Sequence, residues 1–135
     1  AGGCAPRPRT DRGITMLQKI DALTGQALFR LWGLDDWPLI DGDYLLYDGC
    51  VLIALIRQHG FIDAHIAAKP GRRHISRRAS LEVISMLGDT PIRLIIKQGN
   101  GALNLAKKLG FVDHGLQTLN LINGGPTVCH ILWRK

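Results

Sequence analysis

The chain has 135 residues, 46% hydrophobic and 21% charged, with 17 Lys and Arg against 11 Asp and Glu for a formal net charge of +6. That length and mix fit one globular domain with its own core, and no apolar run approaches the roughly 18–20 residues that cross a bilayer. The positive balance favours acidic partners (a phosphorylated cofactor, nucleic acid or an acidic protein surface) without choosing among them.

Residues 1–13 hold Gly, Pro and Arg with no apolar period, so a flexible basic extension is expected there, ahead of a single domain over 14–135. No secretory apolar stretch stands in it, and a cytoplasmic location is expected. Over 14–32 the apolar spacing predicts helix, with Gly25 breaking it, Thr24 capping a second piece and Gly33 closing it. The stretch 34–43 carries Pro38, Gly42 and Asp35, Asp36, Asp41 and Asp43 and reads as a loop framed by Trp32 and Trp37. Strands follow at 44–47, 51–56 and 61–68, joined by an Asp48-Gly49 hairpin signal and a Gln58-His59-Gly60 turn. In the third strand Ile62, Ala64, Ile66 and Ala68 share one face, and Asp63, His65 and Ala67 the other.

After Lys69-Pro70-Gly71 a basic turn leads into a helix over 75–87, stopped by Gly88. A short strand at 92–97, a helix over 102–109 and strands at 116–122 and 127–133 complete the chain, the last two joined by a turn at 123–126. The order predicts a mixed α/β (α+β) sheet: an antiparallel meander, a β-α-β crossover, a helix and a C-terminal hairpin. Cys4, Cys50 and Cys129 are odd in number and form no C-x-x-C pair. Cys50 and Cys129 read as small apolar residues inside strands, in a reducing compartment.

This order resembles the GCN5-related N-acetyltransferase (GNAT) family over 44–135. Three local features carry the resemblance: His65-Ile66-Ala67-Ala68-Lys69-Pro70 followed by Arg72, Leu105-Ala106-Lys107-Lys108-Leu109-Gly110-Phe111, and Gly115 ahead of a terminal hairpin. It implies acetyl transfer from acetyl-CoA to an amine acceptor. It also implies that the cofactor lies against Ala67 and Ala68, the turn Arg72, Arg73, His74, Ile75, Ser76 and Arg77, and Asn100. A helix start is an anion site, and arginines add charge-assisted contacts to phosphate.

The chain departs from the family pattern at three places. Ile75 and Arg77 stand where the family's pyrophosphate turn has glycines, Ala106 stands where a proton-donating Tyr is common, and the spacing from Asn100 to Gly110 is slightly short. These departures, the short length and the basic tail resemble compact, degenerate GNAT-like chains of tailed phages. That likeness implies a non-catalytic alternative: a virion or assembly component whose tail docks on a protein partner.

His65 is the candidate general base, in a place where the family often has Glu or His. It reads equally as a hydrogen-bonded strand histidine. Asp63 on the same face orients it or is solvated. The basic turn reads as a cofactor phosphate site, as a nucleic-acid or acidic-protein surface, or as a solvated helix start. With three Trp, two Tyr and three Phe, the chain offers few aromatics for base stacking, so nucleic acid is the weaker partner. The aspartates of 34–43 suit a cationic acceptor or simply a solvated loop. His59 and His74 read as exposed, and His114 and His130 have no companions at ligand spacing, so no metal site is expected.

Overall fold

The computed structural model describes residues 16–121 and 125–135; the expected tail at 1–13 and the first half of the expected turn at 123–126 lie outside them. Seven strands form one mixed sheet in the order β1-β2-β3-β4-β5-β7-β6. In chain order the elements are β1 (Leu17–Ile20), α1 (Ala22–Leu31), β2 (Asp43–Tyr47), β3 (Val51–Arg57), β4 (Ile62–Ala68), a 3-10 turn (Arg73–Ile75), α2 (Ser76–Leu87), β5 (Ile92–Lys97), α3 (Ala102–Lys108), β6 (Val112–Leu121) and β7 (Gly125–Arg134). Among the described residues no helix is long and apolar enough to cross a membrane.

The first expected helix is in fact a strand followed by a helix. Asp21 fixes the boundary: its backbone is extended and its carboxylate accepts the N–H of Thr24 at 2.7 Å. What precedes such a cap is not helical, and 17–20 pairs antiparallel with β2 instead, Ile20 opposite Tyr44 and Leu17 opposite Tyr47. Thr24 is thus the capped residue and not the cap. Gly25 does not break the helix either; it lies buried inside it, where a Cβ would run into the Tyr44 ring.

The meander forms as the alternation requires. Asp48 and Gly49 both adopt positive φ, 51° and 67°, the backbone that tight hairpins demand. Cys50 is buried in that turn, ahead of β3 and not within a strand, and burial pushes its thiol up; Cys129 is buried in β7. The even residues of β4 face α2, whose Ala79 and Val83 close a core with Leu45, Val51, Ile53 and Leu55. The odd residues face α1 and the loop after it, where Phe29, Trp32, Trp37 and Tyr44 form a second cluster that Ala67 joins. On the α2 side of β5 and β7, α3 seats Ala106 beside Leu109, Phe111 and Leu132.

β6 begins at Val112, earlier than its pattern suggests, because Gly115 at φ 106° breaks the alternation without ending the strand. The Asp113 carboxylate accepts the Gly115 N–H at 2.9 Å and meets His130 Nδ1 at 2.8 Å, and these bonds hold the irregular register together.

Candidate functional site

The site begins with a fork in the sheet. β4 and β5 run parallel, and only Ile62↔Ile92 and Asp63↔Arg93 pair. Beyond that point β4 keeps its ladder with β3 as far as Ala68↔Val51, and β5 keeps its ladder with β7 as far as Lys97↔Cys129. The two central strands therefore part along their C-terminal halves.

Backbone N–H groups alternate sides along a strand. The Ile62 N–H points across the fork to the Pro91 carbonyl at 3.0 Å, and the Lys69 N–H points the other way to the Cys50 carbonyl at 2.8 Å. The N–H groups of Ala64 and Ile66 accordingly face the gap. An internal sheet edge of this kind is where an extended ligand adds as a strand.

A cavity of about 670 Å³ occupies the gap. Ala64, His65 and Ile66 line it from β4, Leu94 to Lys97 from β5, Ser80 and Val83 from α2, Asn100 and Ala106 from the α3 side, and Asp35, Asp36 and Trp37 from the loop. The expected site residues thus separate into three groups. His65 and Asn100 are in the cleft. Ala67 and Ala68 continue β4 toward its open end, and Arg72, Arg73, His74, Ile75, Ser76 and Arg77 lie in the segment beyond β4 rather than in the cavity wall.

His65 stands under an anchored loop. Its ring meets Trp37 edge-on at 4.9 Å between centroids. Trp37 is itself pinned: its carbonyl accepts from Arg30 Nε at 2.9 Å and Gln26 Nε2 at 3.2 Å, and its indole N–H donates to the Tyr44 hydroxyl at 3.2 Å. That hydroxyl donates in turn to the Ile40 carbonyl at 2.7 Å. Burial holds the His65 imidazolium below its ordinary stability, the Asp63 carboxylate offsets part of this, and Arg93 adds to it. His65 therefore stands neutral near pH 7, as a proton acceptor must.

Asp63 differs from both expectations for it. It is 7% exposed, so it is not solvated, and it does not orient His65 by a hydrogen bond. Both of its oxygens are held by Arg93, from Nε at 2.6 Å and Nη2 at 2.7 Å. Asn100 is partly committed as well, its side-chain oxygen accepting the Ala102 N–H at 2.8 Å.

The basic turn is less prepared than the resemblance implies. α2 starts at Ser76 behind the 3-10 turn, with no side-chain cap. The N–H groups of Ile75 and Ser76 donate to the carbonyls of Arg72 and Arg73, so neither points outward. Arg72, Arg73, His74 and Arg77 are exposed, and Arg72 lies 3.7 Å from Asp48.

Two residues of the site escape the sequence reading. Arg93 is a charge inside an otherwise apolar run, Ile92-Arg93-Leu94-Ile95-Ile96, which signals a buried partner without naming it. Trp37 reads as a loop anchor, but nothing in the sequence places it against His65.

No protein-family model matches the chain, and no curated protein matches it. Solved structures do. A variant of spermidine N-acetyltransferase SpeG from Vibrio cholerae is 13% identical, with a TM-score of 0.67 over 87% of this chain and 92% of that one. The putative acetyltransferase yncA from Salmonella typhimurium, solved with its cofactor acetyl-CoA, is 12% identical, with a TM-score of 0.65 over 88% and 92%. A ribosomal-protein alanine N-acetyltransferase from Escherichia coli is 15% identical, with a TM-score of 0.65 over 89% and 92%. Structural neighbours of this chain are thus GNAT acetyltransferases with different acceptors, and at these identities the likeness establishes the fold: seven mixed strands and three helices in the GNAT-like arrangement.

Proposed function

We propose that the chain transfers an acetyl group from acetyl-CoA to an amine. The carrying observation is the fork: an internal strand edge with the Ala64 and Ile66 N–H groups facing a cavity, and a half-buried neutral histidine between them in sequence. Acetyl-CoA supplies a thioester-activated acetyl group. The edge of β4 orients an extended arm and polarises a carbonyl held against it. The amine nitrogen bonds to the acetyl carbonyl carbon, His65 accepts its proton, and the C–S bond breaks to release a thiolate that takes a proton from solvent. Trp37 and its pinned loop exclude water above the imidazole, and Asp35 and Asp36 favour a cationic acceptor on that side. Arg72, Arg73 and Arg77 draw the phosphates to the open end by charge, with His74 beside them as a hydrogen-bonding group.

The test is release of free thiol from acetyl-CoA over a panel of primary amines, with binding followed by calorimetry. His65→Gln lowers turnover about 10²–10⁴-fold, the usual contribution of a positioned base, and leaves acetyl-CoA affinity near its starting value. Equal turnover in that variant removes the assignment of His65 as base. No heat of binding at millimolar acetyl-CoA removes the enzymatic reading.

A second reading has its own support. Ala106 has no proton for a leaving thiolate, and Ile75 and Arg77 place side chains where a phosphate turn favours glycine. These favour a GNAT-shaped binding or structural protein, a phage virion or assembly component in the reading that the degenerate-chain resemblance implies, with the basic extension at 1–13 as its docking segment. Co-purification of the full chain with a partner, lost when 1–13 is removed, supports it; a monomer that turns over acetyl-CoA counts against it.

A further inference from the structure

The proposed reaction leaves one feature of the fork without a role. The last rung joining β4 to β5 is Asp63↔Arg93, and on that rung the side chains meet as well, through two parallel charge-assisted hydrogen bonds of 2.6 and 2.7 Å. The pair sits in an aromatic box. The Arg93 guanidinium lies 4.8 Å from the Phe61 ring centroid and 6.0 Å from that of Trp133, and the two rings meet edge-on at 5.0 Å. Phe61 immediately precedes β4, and Trp133 lies opposite Arg93 on β7. Three strands thus converge on one guanidinium at the vertex of the cleft.

We propose that Asp63 and Arg93 are positioning residues, their ion pair pinning the rung at which β4 and β5 part and setting the charge that His65 faces inside the cleft.

The backbone alone secures this vertex poorly. Two rungs at the end of a parallel ladder hold few hydrogen bonds, and sheet twist drives diverging strands further apart. A bidentate arginine–carboxylate pair fixes both distance and orientation between its strands, which a single point charge does not. Its location also matters for electrostatics. Asp63 and His65 lie two residues apart on one face of β4, so the carboxylate and the guanidinium act on the imidazole in opposite senses. Asp35 and Asp36 of the loop and Lys97 of β5 line the same cleft, and His65 feels the vertex pair against that background. The inference rests on the proposed reaction only for its catalytic meaning; the geometry and the test concern the unliganded protein.

The experiment is imidazole NMR titration together with amide hydrogen exchange on the full chain, with the His65 resonance assigned by its loss in His65→Gln. Asp63→Asn removes the favourable anion and leaves the cation, so His65 titrates lower than in the parent protein. Arg93→Gln leaves the carboxylate uncompensated, so His65 titrates higher. In both, the Ile62 amide, which bonds across the fork, exchanges at least about tenfold faster as the rung opens. Arg93→Lys keeps the charge and loses the two-pronged geometry; it speeds Ile62 exchange while moving the His65 titration least.

A purely structural role gives a different pattern. Loosened packing lets water in and moves His65 toward its ordinary value in both charge-removing variants. Shifts of one sign, or Ile62 exchange at the parent rate in all three variants, overturn the proposal. Should Asp63→Asn or Arg93→Gln fail to fold, Arg93→Lys decides through Ile62 exchange alone. Absence of acetyl transfer leaves every one of these readouts in place, so the two proposals fail separately.

Discussion

Two irregular segments differ in how the fold treats them, one lining the cleft and one lying beyond the end of β4. The loop between α1 and β2 carries three aspartates and would pass for solvent-exposed chain, yet Trp37 within it is buried and tied to α1, to Tyr44 and edge-on to His65. The segment between β4 and α2 carries Arg72 and Arg73, with Arg77 and Arg78 in the first turn of α2, and these side chains stay exposed, with a helix start lacking a side-chain cap and Arg72 in a loose surface pair with Asp48. The first segment is held in place and lines the cleft; the second lies beyond the cleft and keeps its charges in solvent. This asymmetry matches the sequence departures: the residues around His65 are held in place, and the glycines that would bring backbone to a phosphate are absent.

Trp37 contributes most to the held segment. Trp37→Ala removes a buried aromatic from the core of the pinned wall and costs about 3–5 kcal/mol, read by denaturant unfolding; hydration of His65 then raises its titration toward the ordinary imidazole value. A cost below about 1 kcal/mol would mean that the loop is held by other contacts. Gly25→Ala tests the same wall from beneath. Its methyl meets the Tyr44 ring that supports Trp37, and the overpacking costs about 1–3 kcal/mol despite the better helix propensity of alanine.

The basic segment responds differently. Arg72→Ala changes stability by no more than about 1 kcal/mol, since its pair with Asp48 is exposed. The same change weakens acetyl-CoA binding, with a steep salt dependence. The smallest effect is on pH. Burial lowers the folded-state pKa of His65, so the unfolded chain takes up the proton first as pH falls. The stability tied to neutral His65 is complete above the ordinary value of about 6.5 and is lost progressively through the window below it. His65→Gln flattens that slope, and the acid limb of turnover in the parent protein lies below about 6.5 as well.

The sequence revealed this architecture unevenly. The meander, the crossover and the hairpin were legible because period-2 alternation and the Asp48-Gly49 turn are local signals. β1 was not, because a strand of four residues beside a helix has too few positions to show a period, and Leu17 and Ile20 fit a helical face equally well. Asp21 marks the boundary only once its bond to Thr24 is seen. In the site, the His65 face of β4 followed from alternation. The Asp63 partnership did not, because Arg93 lies thirty positions away and meets it only through the crossover. The divergence of β4 and β5 is visible in neither strand alone; it shows in the ladders, where beyond two shared rungs β4 stays with β3 and β5 stays with β7.

The central claim is that the β4 edge inside the fork receives an extended thioester arm. It is tested most directly by amide NMR of the chain with saturating acetyl-CoA. The account predicts that the Ala64 and Ile66 amides shift and become protected from exchange, while amides on the β3 side of β4 change little. Unperturbed Ala64 and Ile66 at millimolar acetyl-CoA, or changes confined to 72–78, would contradict it.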